Sequence, residues 1–524
     1  MTTKEALTAE DFPIVWTNPE DAERTWFFDI EHTPDVVTPL GFDLYFSPFL
    51  DGFGWARVVL QNHYVYDWFQ EDTYDEAAAR FDLEQLTAAG KHFWEKIVPE
   101  VEGYTQRYLR SDFDALPDGD LAEEIEQLPA LRSRMGHLHT LSLFPHGAGM
   151  RRLIEVYKEL IEDDELGAVK LMQGFGNKSV EAGRALWELS RQAAALPSVY
   201  ERVRGIDREN AADTIAAIRG DRAAGEFVAA FDSFLNDYGW RTDLFELAHP
   251  AWAEDPTIPL CQMRGYLEMP DYDPDAEQRR LVAEREEARA EAFAKLSPAD
   301  ADKLRDVLEM ARHVVSLQED HNFYIDQRCA FAPRRVVLAT ARRLVSKNQL
   351  VDANDVFYLS GVELLSALRG DLRDAQSIAD ATKSAMERWS QLEPPPWIGA
   401  PPTQDGVATS VMAEERGPHE LSGNGASAGV ARGPARVLMS LAEADRLRPG
   451  DVLVARTTMP AWTPLFAAAA AIVTETGGVL SHAAVTAREY GTPAVLNVAD
   501  ATRRIRDGQL VEVDGSQGTV RILS

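Results

Sequence analysis

The strongest constraint on this chain is a break. Pro394, Pro395, Pro396, Pro401 and Pro402 fall within nine positions, and no helical or strand periodicity survives around them. Proline fixes φ and removes a backbone donor, so such a run ends regular structure and makes a semi-stiff connection. The 524 residues therefore divide into a body over 1–392, a linker over 393–418 and a C-terminal unit over 419–524, the last of common domain size. No internal repeat relates the parts.

The body reads as mostly helical. Apolar residues recur at helical spacing over 83–109, 150–163, 179–195 and 223–238. The stretch from Asp275 to Leu296 is dense in Glu, Arg and Ala and predicts a solvated helix with i,i+4 charge pairs. Ser297-Pro298 then caps a further helix expected to reach Phe331, where Pro333 ends or kinks it. Residues 1–75 are expected to be irregular. They are rich in aromatics: 10 of the 28 residues from Phe42 to Phe69 are Phe, Tyr or Trp.

The C-terminal unit alternates β-rich runs (435–439, 451–455, 471–474, 493–496, 510–513, 519–523) with helical ones (461–470, 482–490), an α/β pattern. The fold class expected for the whole is α+β and multidomain, with a large helical domain followed by a smaller α/β domain. Net charge is −32, from 53 basic and 85 acidic residues. That balance disfavours nucleic acid and anionic membranes as partners. The two cysteines, Cys261 and Cys329, form no Cys-x-x-Cys pair, so neither a zinc framework nor a disulfide scaffold is expected. The N-terminus lacks a signal-peptide pattern and no apolar run is long enough for a membrane span, which makes a cytoplasmic location the default.

One histidine in the C-terminal unit stands in a chemically suggestive place. Thr474 ends a strand, Gly477 and Gly478 permit a tight turn, and Ser481-His482 opens a helix. A helix N-terminus offers free N–H groups and the positive end of the dipole, both of which favour an anion. Neutral imidazole is a nucleophile near pH 7. His482 is thus the candidate catalytic residue, carrying a phosphoryl group, with Thr474, Gly477, Gly478, Ser481 and Arg488 as its stabilising surroundings. The competing reading of that turn alone is a histidine that merely caps a helix.

The longer run Thr474–Val495 resembles the active-site motif of the swivelling phosphohistidine domain in the phosphoenolpyruvate synthase and pyruvate phosphate dikinase group. Gly425-Ala-Ser-Ala-Gly429 with Gly433–Val437, and Gly450–Arg456 with Pro460–Phe466, resemble that domain's two earlier motifs. Leu480 departs from the threonine of many members, which puts threonine-based regulation in doubt. In the body, Leu171–Ser179, Tyr238–Arg241, Trp252–Pro256, Leu317–Tyr324 and Asp355–Leu359 resemble the substrate-binding domain of rifampin phosphotransferase and related proteins, although Trp240 replaces a usual histidine. Phenylphosphate synthase and p-cresol-phosphorylating enzymes are similar in principle.

The resemblance implies a phosphotransferase with a phosphohistidine intermediate. Neither a pyruvate-binding barrel nor an ATP-grasp region is seen in the chain. The expectation is that ATP and Mg²⁺ bind a partner ATP-grasp subunit, that this chain binds no cofactor or metal of its own, and that ATP is cleaved to AMP and phosphate. The acceptor expected is the hydroxyl of a small aromatic compound such as a phenol or cresol. Rival readings are an antibiotic or other natural-product hydroxyl, and a phosphocarrier or regulatory protein.

An acceptor site needs a base, positive charge and an apolar lining. The candidates are His32, His137, His139 and His146 for the base; Arg132, Arg134, Lys178 and Arg241 for charge; and Trp26, Phe28, Phe46 and Trp55 for lining. The segment 132–146 is expected to pass from helix to loop, with His137 and His139 diverging. Each single residue among them has a bland alternative, as core packing or surface charge.

Overall fold

The computed structural model describes residues 5–9, 11–70, 81–161, 165–242, 244–402 and 419–523. Among these, no helix is long and apolar enough to cross a membrane.

The aromatic-rich beginning is not irregular. Strands β1 (Thr25–Phe28), β2 (Ala56–Gln61), β3 (Tyr64–Phe69) and β4 (Trp397–Gly399) form an antiparallel sheet in the order β2-β3-β1-β4. Asn62 and His63 take positive φ in the two-residue turn between β2 and β3, as a tight hairpin requires. Alternation then places Trp26, Tyr64 and Tyr66 in a small core with Phe12 and Ile398. The linker expected over 393–418 is corrected in its first part. Glu393 belongs to a short strand paired with Glu5–Ala6, and Trp397–Gly399 is the edge of the sheet. Three successive prolines are compatible with this because edge positions tolerate missing donors. The rest of the expected linker, 403–418, lies outside the described residues.

Helix α1 (Asp118–Ile161) runs unbroken through Pro129 and Pro145, so the helix-to-loop transition expected within 132–146 does not occur. Its length is about 66 Å at 1.5 Å per residue, and packing on both sides overrides the local cost of proline. Helix α4 (Pro298–Val314) packs along it, and α2 (Lys178–Ala194) and the charged α3 (Pro274–Ala294) are further helices of the body. Ser297 caps α4 as expected, its hydroxyl accepting the Asp300 N–H. The single helix expected from 298 to 331 is instead three pieces: α4, a turn Leu317–His321, and a π-helical stretch Asn322–Cys329.

The C-terminal unit is an eight-stranded sheet. Its strands are β5 (Glu420–Ser422), β6 (Asn424–Ser427), β7 (Val430–Val437), β8 (Val452–Ala455), β9 (Ala471–Thr474), β10 (Ala494–Leu496), β11 (Leu510–Asp514) and β12 (Thr519–Ile522). The central β7-β8-β9-β10 are parallel and the outer strands antiparallel. Strands β8, β9 and β10 read as continuous apolar runs because they are covered on both faces, whereas β7 alternates between buried and exposed positions. Helix α5 (His482–Tyr490) follows β9 and ends at Gly491 in the left-handed conformation. One apolar cluster is continuous from Leu186, Phe234 and Trp252 of the body to Trp462, Leu465 and Phe466 of this unit. The two parts therefore share a core in this arrangement.

Close backbone crossings set how α1 meets the segment Ser47–Gly52. A Cβ at Gly136 would lie 1.9 Å from the Phe49 carbonyl oxygen, and one at Gly52 would lie 2.0 Å from that of Ser133. Gly136→Ala is expected to cost about 2–4 kcal/mol in urea unfolding through overpacking against rigid backbone. Gly119→Ala, on the same helix with open space around it, is expected to be neutral or stabilising by about 0.5–1 kcal/mol. Equal effects of the two would show that the crossing is not tight.

Candidate active site

Strand β9 delivers the chain to a loop in which Gly477 takes φ +110°, a conformation that favours glycine. Ser481 caps α5, its hydroxyl accepting the Ala484 N–H at 3.5 Å. His482 is the first helical residue. The imidazole does not face solvent: its side chain is 13% exposed and lies against the body. Its Nδ1 is 2.7 and 2.8 Å from the two carboxylate oxygens of Glu319, and 3.4 Å from the Thr486 hydroxyl one turn along α5. Glu319 is fully buried and accepts a second hydrogen bond from Ser179 Oγ at 2.7 Å. Burial works to raise the Glu319 carboxyl; the facing His482, the hydrogen bonds from His482 and Ser179, and nearby His321 outweigh it and hold it below the usual range.

With Nδ1–H donated to a carboxylate, the opposite nitrogen carries the lone pair. Nε2 of His482 is buried and has no hydrogen-bond partner. A carboxylate–histidine pair of this kind fixes the tautomer and leaves one nitrogen nucleophilic.

Further contacts hold the C-terminal unit in register. Glu489 accepts the N–H groups of Gly174 and Gly176 at 2.7 and 3.1 Å. Arg241 bridges the Lys178 carbonyl at 3.0 Å and the Pro460 carbonyl at 3.3 Å, and Gln262 donates to the Ala461 carbonyl at 2.9 Å. Burial lowers the Arg241 guanidinium to about 10. Beside this junction lies a cavity of about 610 Å³ whose lining includes Phe175, Lys178, Tyr266, Tyr272, Asp320 and Tyr490. Asp320 is raised to about 6, chiefly by burial. Its carboxylate also accepts the Lys178 N–H at 2.9 Å.

The residues singled out in sequence separate into groups. Thr474, Gly477, Gly478 and Ser481 all belong to the strand, loop and cap that precede His482. The Thr474 hydroxyl donates to the Thr476 carbonyl at 2.6 Å. Arg488 is buried, lowered to about 10 by burial, and donates to the Ala426 carbonyl at 2.9 Å, so its bonded role is within the sheet domain. Lys178 and Arg241 lie at the junction with the body. His139 and His146 both line one side of α1, seven residues apart, whereas His137 is exposed. His139 meets Asp326 at 3.0 Å. Arg132 lies 3.8 Å from the ring centroids of both Tyr45 and Phe49. Arg134 pairs with Glu100 at the surface, and His32 with Asp29. Trp26 and Phe46 are core residues, and Phe28 packs against the small sheet's core. Trp55 stacks on Phe144 at 5.4 Å. Glu319 was not singled out. Its signal was an acidic residue in Leu317-Gln-Glu-Asp-His, between apolar positions of a helix, where a solvated charge is not expected.

The fold and site define a protein with a helical domain on which a histidine-bearing swivelling domain is docked. Residues 139–319 match the family described as the rifampicin phosphotransferase fourth domain, and residues 447–518 match the PEP-utilising enzyme, mobile domain. Chondramide synthase cmdD of Chondromyces crocatus is 34% identical over 98% of this chain and 14% of its own length. The uncharacterized phosphotransferase YvkC of Bacillus subtilis is 28% identical over 77% of this chain and 49% of its own. A rifampicin phosphotransferase of Streptomyces sviceus is 33% identical over 67% of this chain and 40% of its own. The chain spans less than half the length of each of these relatives. Its two matched regions are domains of the phosphoenolpyruvate synthase and pyruvate phosphate dikinase-like type.

His146 gives a pH signature for the folded body. Its Nδ1 lies 2.9 Å from the Val314 carbonyl oxygen, while buried Nε2 has no partner. Burial, helped by the nearby positive charges of His321 and Arg488, lowers it from 6.5 to about 4, against the Val314 hydrogen bond and the Glu319 charge. A depressed histidine contributes stability that is present above 6.5 and lost as pH falls through about 4, at most about 3 kcal/mol. His146→Gln is expected to flatten the fall of the urea midpoint between pH 7 and 5. An unchanged slope would assign that pH dependence to other groups.

Proposed function

We propose that this chain carries a phosphoryl group on Nε2 of His482 and transfers it to the hydroxyl of a small organic acceptor bound in the helical body. The observation that carries this reading is the Glu319 carboxylate 2.7 Å from His482 Nδ1 across the domain boundary. A residue of one domain selects the nucleophilic nitrogen of the other, which is what a transfer between two stations needs. In the loading step, Nε2 attacks phosphorus and displaces the donor's leaving oxygen. In the unloading step, the acceptor oxygen forms the new P–O bond, the P–N bond breaks, and the acceptor's proton passes to a carboxylate. Asp320, which lines the junction cavity, is the carboxylate assigned that role in this reading. Arg241 and Lys178 bring positive charge to the same junction.

The donor in this reading is ATP held with Mg²⁺ on an ATP-grasp unit, a separate polypeptide or another part of a longer chain, with the β-phosphoryl delivered to His482. The acceptor favoured is a natural-product hydroxyl. The junction cavity of about 610 Å³ suits a drug-sized ligand, and relatives are named for rifampicin and chondramide. The phenol or cresol reading drew on the resemblance to aryl-phosphate-forming enzymes and on a candidate aromatic lining, of which Trp26 and Phe46 are core. Phenols therefore serve as a comparison set.

The test combines this protein, an ATP-grasp unit, β-labelled ATP and panels of hydroxylated natural products and phenols. Label is expected on wild-type protein and then on a natural product, and on neither with His482→Ala. Labelling that survives His482→Ala would overturn the relay. Glu319→Gln and Asp320→Asn are expected to leave some His482 labelling and to slow delivery to the acceptor by about 10²–10⁴-fold. Full delivery in both would remove these carboxylates from the mechanism.

A further inference from the structure

Glu319 and Asp320 face the junction, and the next residue, His321, turns the other way. It meets Asp326 and His139 in a buried cluster apart from His482. Asp326 Oδ1 and Oδ2 lie 3.0 and 3.1 Å from His139 Nδ1, and Oδ2 lies 3.4 Å from His321 Nε2. The two imidazole rings are edge to face with centroids 4.6 Å apart.

The backbone is shaped to make this cluster. His321 and Asp326 are five residues apart, which an α-helix would place about 140° apart around its axis. The π-helical stretch Asn322–Cys329 widens the turn, so residues i and i+5 come to one side. His139 arrives from α1, two turns before His146.

We propose that His139, His321 and Asp326 form a site for a divalent transition-metal ion of the zinc class, bound through Nδ1, Nε2 and a carboxylate oxygen, with a fourth position for an oxygen ligand. Three features support it. First, the ligand atoms lie within 4.8 Å of one another. Tetrahedral zinc with bonds of about 2.0–2.2 Å needs ligand separations of roughly 3.3–3.6 Å, so the carboxylate pairs are already near that spacing. Second, the other nitrogen of His321, Nδ1, is hydrogen-bonded to the Leu317 carbonyl. That bond makes Nδ1 the donor and presents the Nε2 lone pair, the outer bond usual for a metal-bound histidine. With His321 neutral, Nε2 and the Asp326 carboxylate are two lone-pair groups facing each other at 3.4 Å, a gap that either a proton or a metal cation fills. Third, the surroundings hold the set. Tyr45 donates to the Asp326 backbone carbonyl at 2.8 Å, Asn322 Nδ2 lies 3.5 Å from Asp326 Oδ2, and the rings of Phe49 and Phe53 pack on His139 at 5.1 and 5.2 Å. The two imidazoles and one carboxylate match zinc, cobalt or nickel rather than magnesium or calcium.

The experiment is titration of chelator-treated wild-type protein with Co²⁺, read by its visible ligand-field absorption, with Zn²⁺ content by elemental analysis. One ion per chain with a tetrahedral-type cobalt spectrum is expected. His139→Gln and His321→Gln are each expected to abolish the band, and His482→Ala to retain it. Circular dichroism of the variants checks their fold. A wild-type protein that gives no band and holds no zinc, with an imidazolium on His321 instead, would overturn the proposal without using any variant. So would a band that persists in both glutamine variants or is lost in His482→Ala.

Discussion

The Glu319 carboxylate is buried at the boundary between two domains, and its partner belongs to the other domain. A charge taken out of water costs several kcal/mol unless it is paired and hydrogen-bonded. Ser179 supplies one hydrogen bond from the body and His482 the other. The body alone therefore holds an incomplete site, and the histidine domain completes it. The remaining junction contacts, Glu489 on the Gly174–Gly176 loop and Arg241 between two carbonyls, orient the docking. Only the Glu319 contact sets which nitrogen of the imidazole carries a lone pair.

The body's architecture serves the position of that carboxylate. Helix α1 runs past the Leu317–Cys329 segment, and glycine crossings with Ser47–Gly52 fix where that helix lies. The turn and π-helical stretch after α4 send three successive ionisable side chains to different places: Glu319 to His482, Asp320 to the junction cavity, and His321 toward α1. A regular helix separates neighbours by about 100° each; the widened turn carries the separation further down the chain, to Asp326.

Much of the C-terminal unit was legible in sequence. Continuous apolar runs marked β8, β9 and β10 because each is covered on both faces, and Ser481 with the Ala-rich pattern marked α5 at His482–Tyr490. The N-terminal sheet was hidden by its prolines and aromatics, whose strands are short and pair with Trp397–Gly399, hundreds of residues away. Pro145 suggested a break that tertiary packing overrides. Within the site, His482 was visible through its glycine turn and cap. Glu319 was not, because its partner lies 163 positions along the chain and no local spacing reports such a pair.

The division of labour between the two nitrogens of His482 has a consequence for the cycle. The bond to Glu319 uses Nδ1, while the proposed chemistry uses Nε2. In the proposed cycle, attaching a phosphoryl group to Nε2 leaves the Nδ1 proton in place, so that proton can be donated to Glu319 by a charged or an empty carrier. A domain that leaves in this cycle would strip Glu319 of its main counterpart in either case, and the vacated carboxylate would favour re-engagement. In that proposal the body is a home berth whose recognition is blind to cargo, and the direction of traffic comes from whatever stands at the far end of the journey.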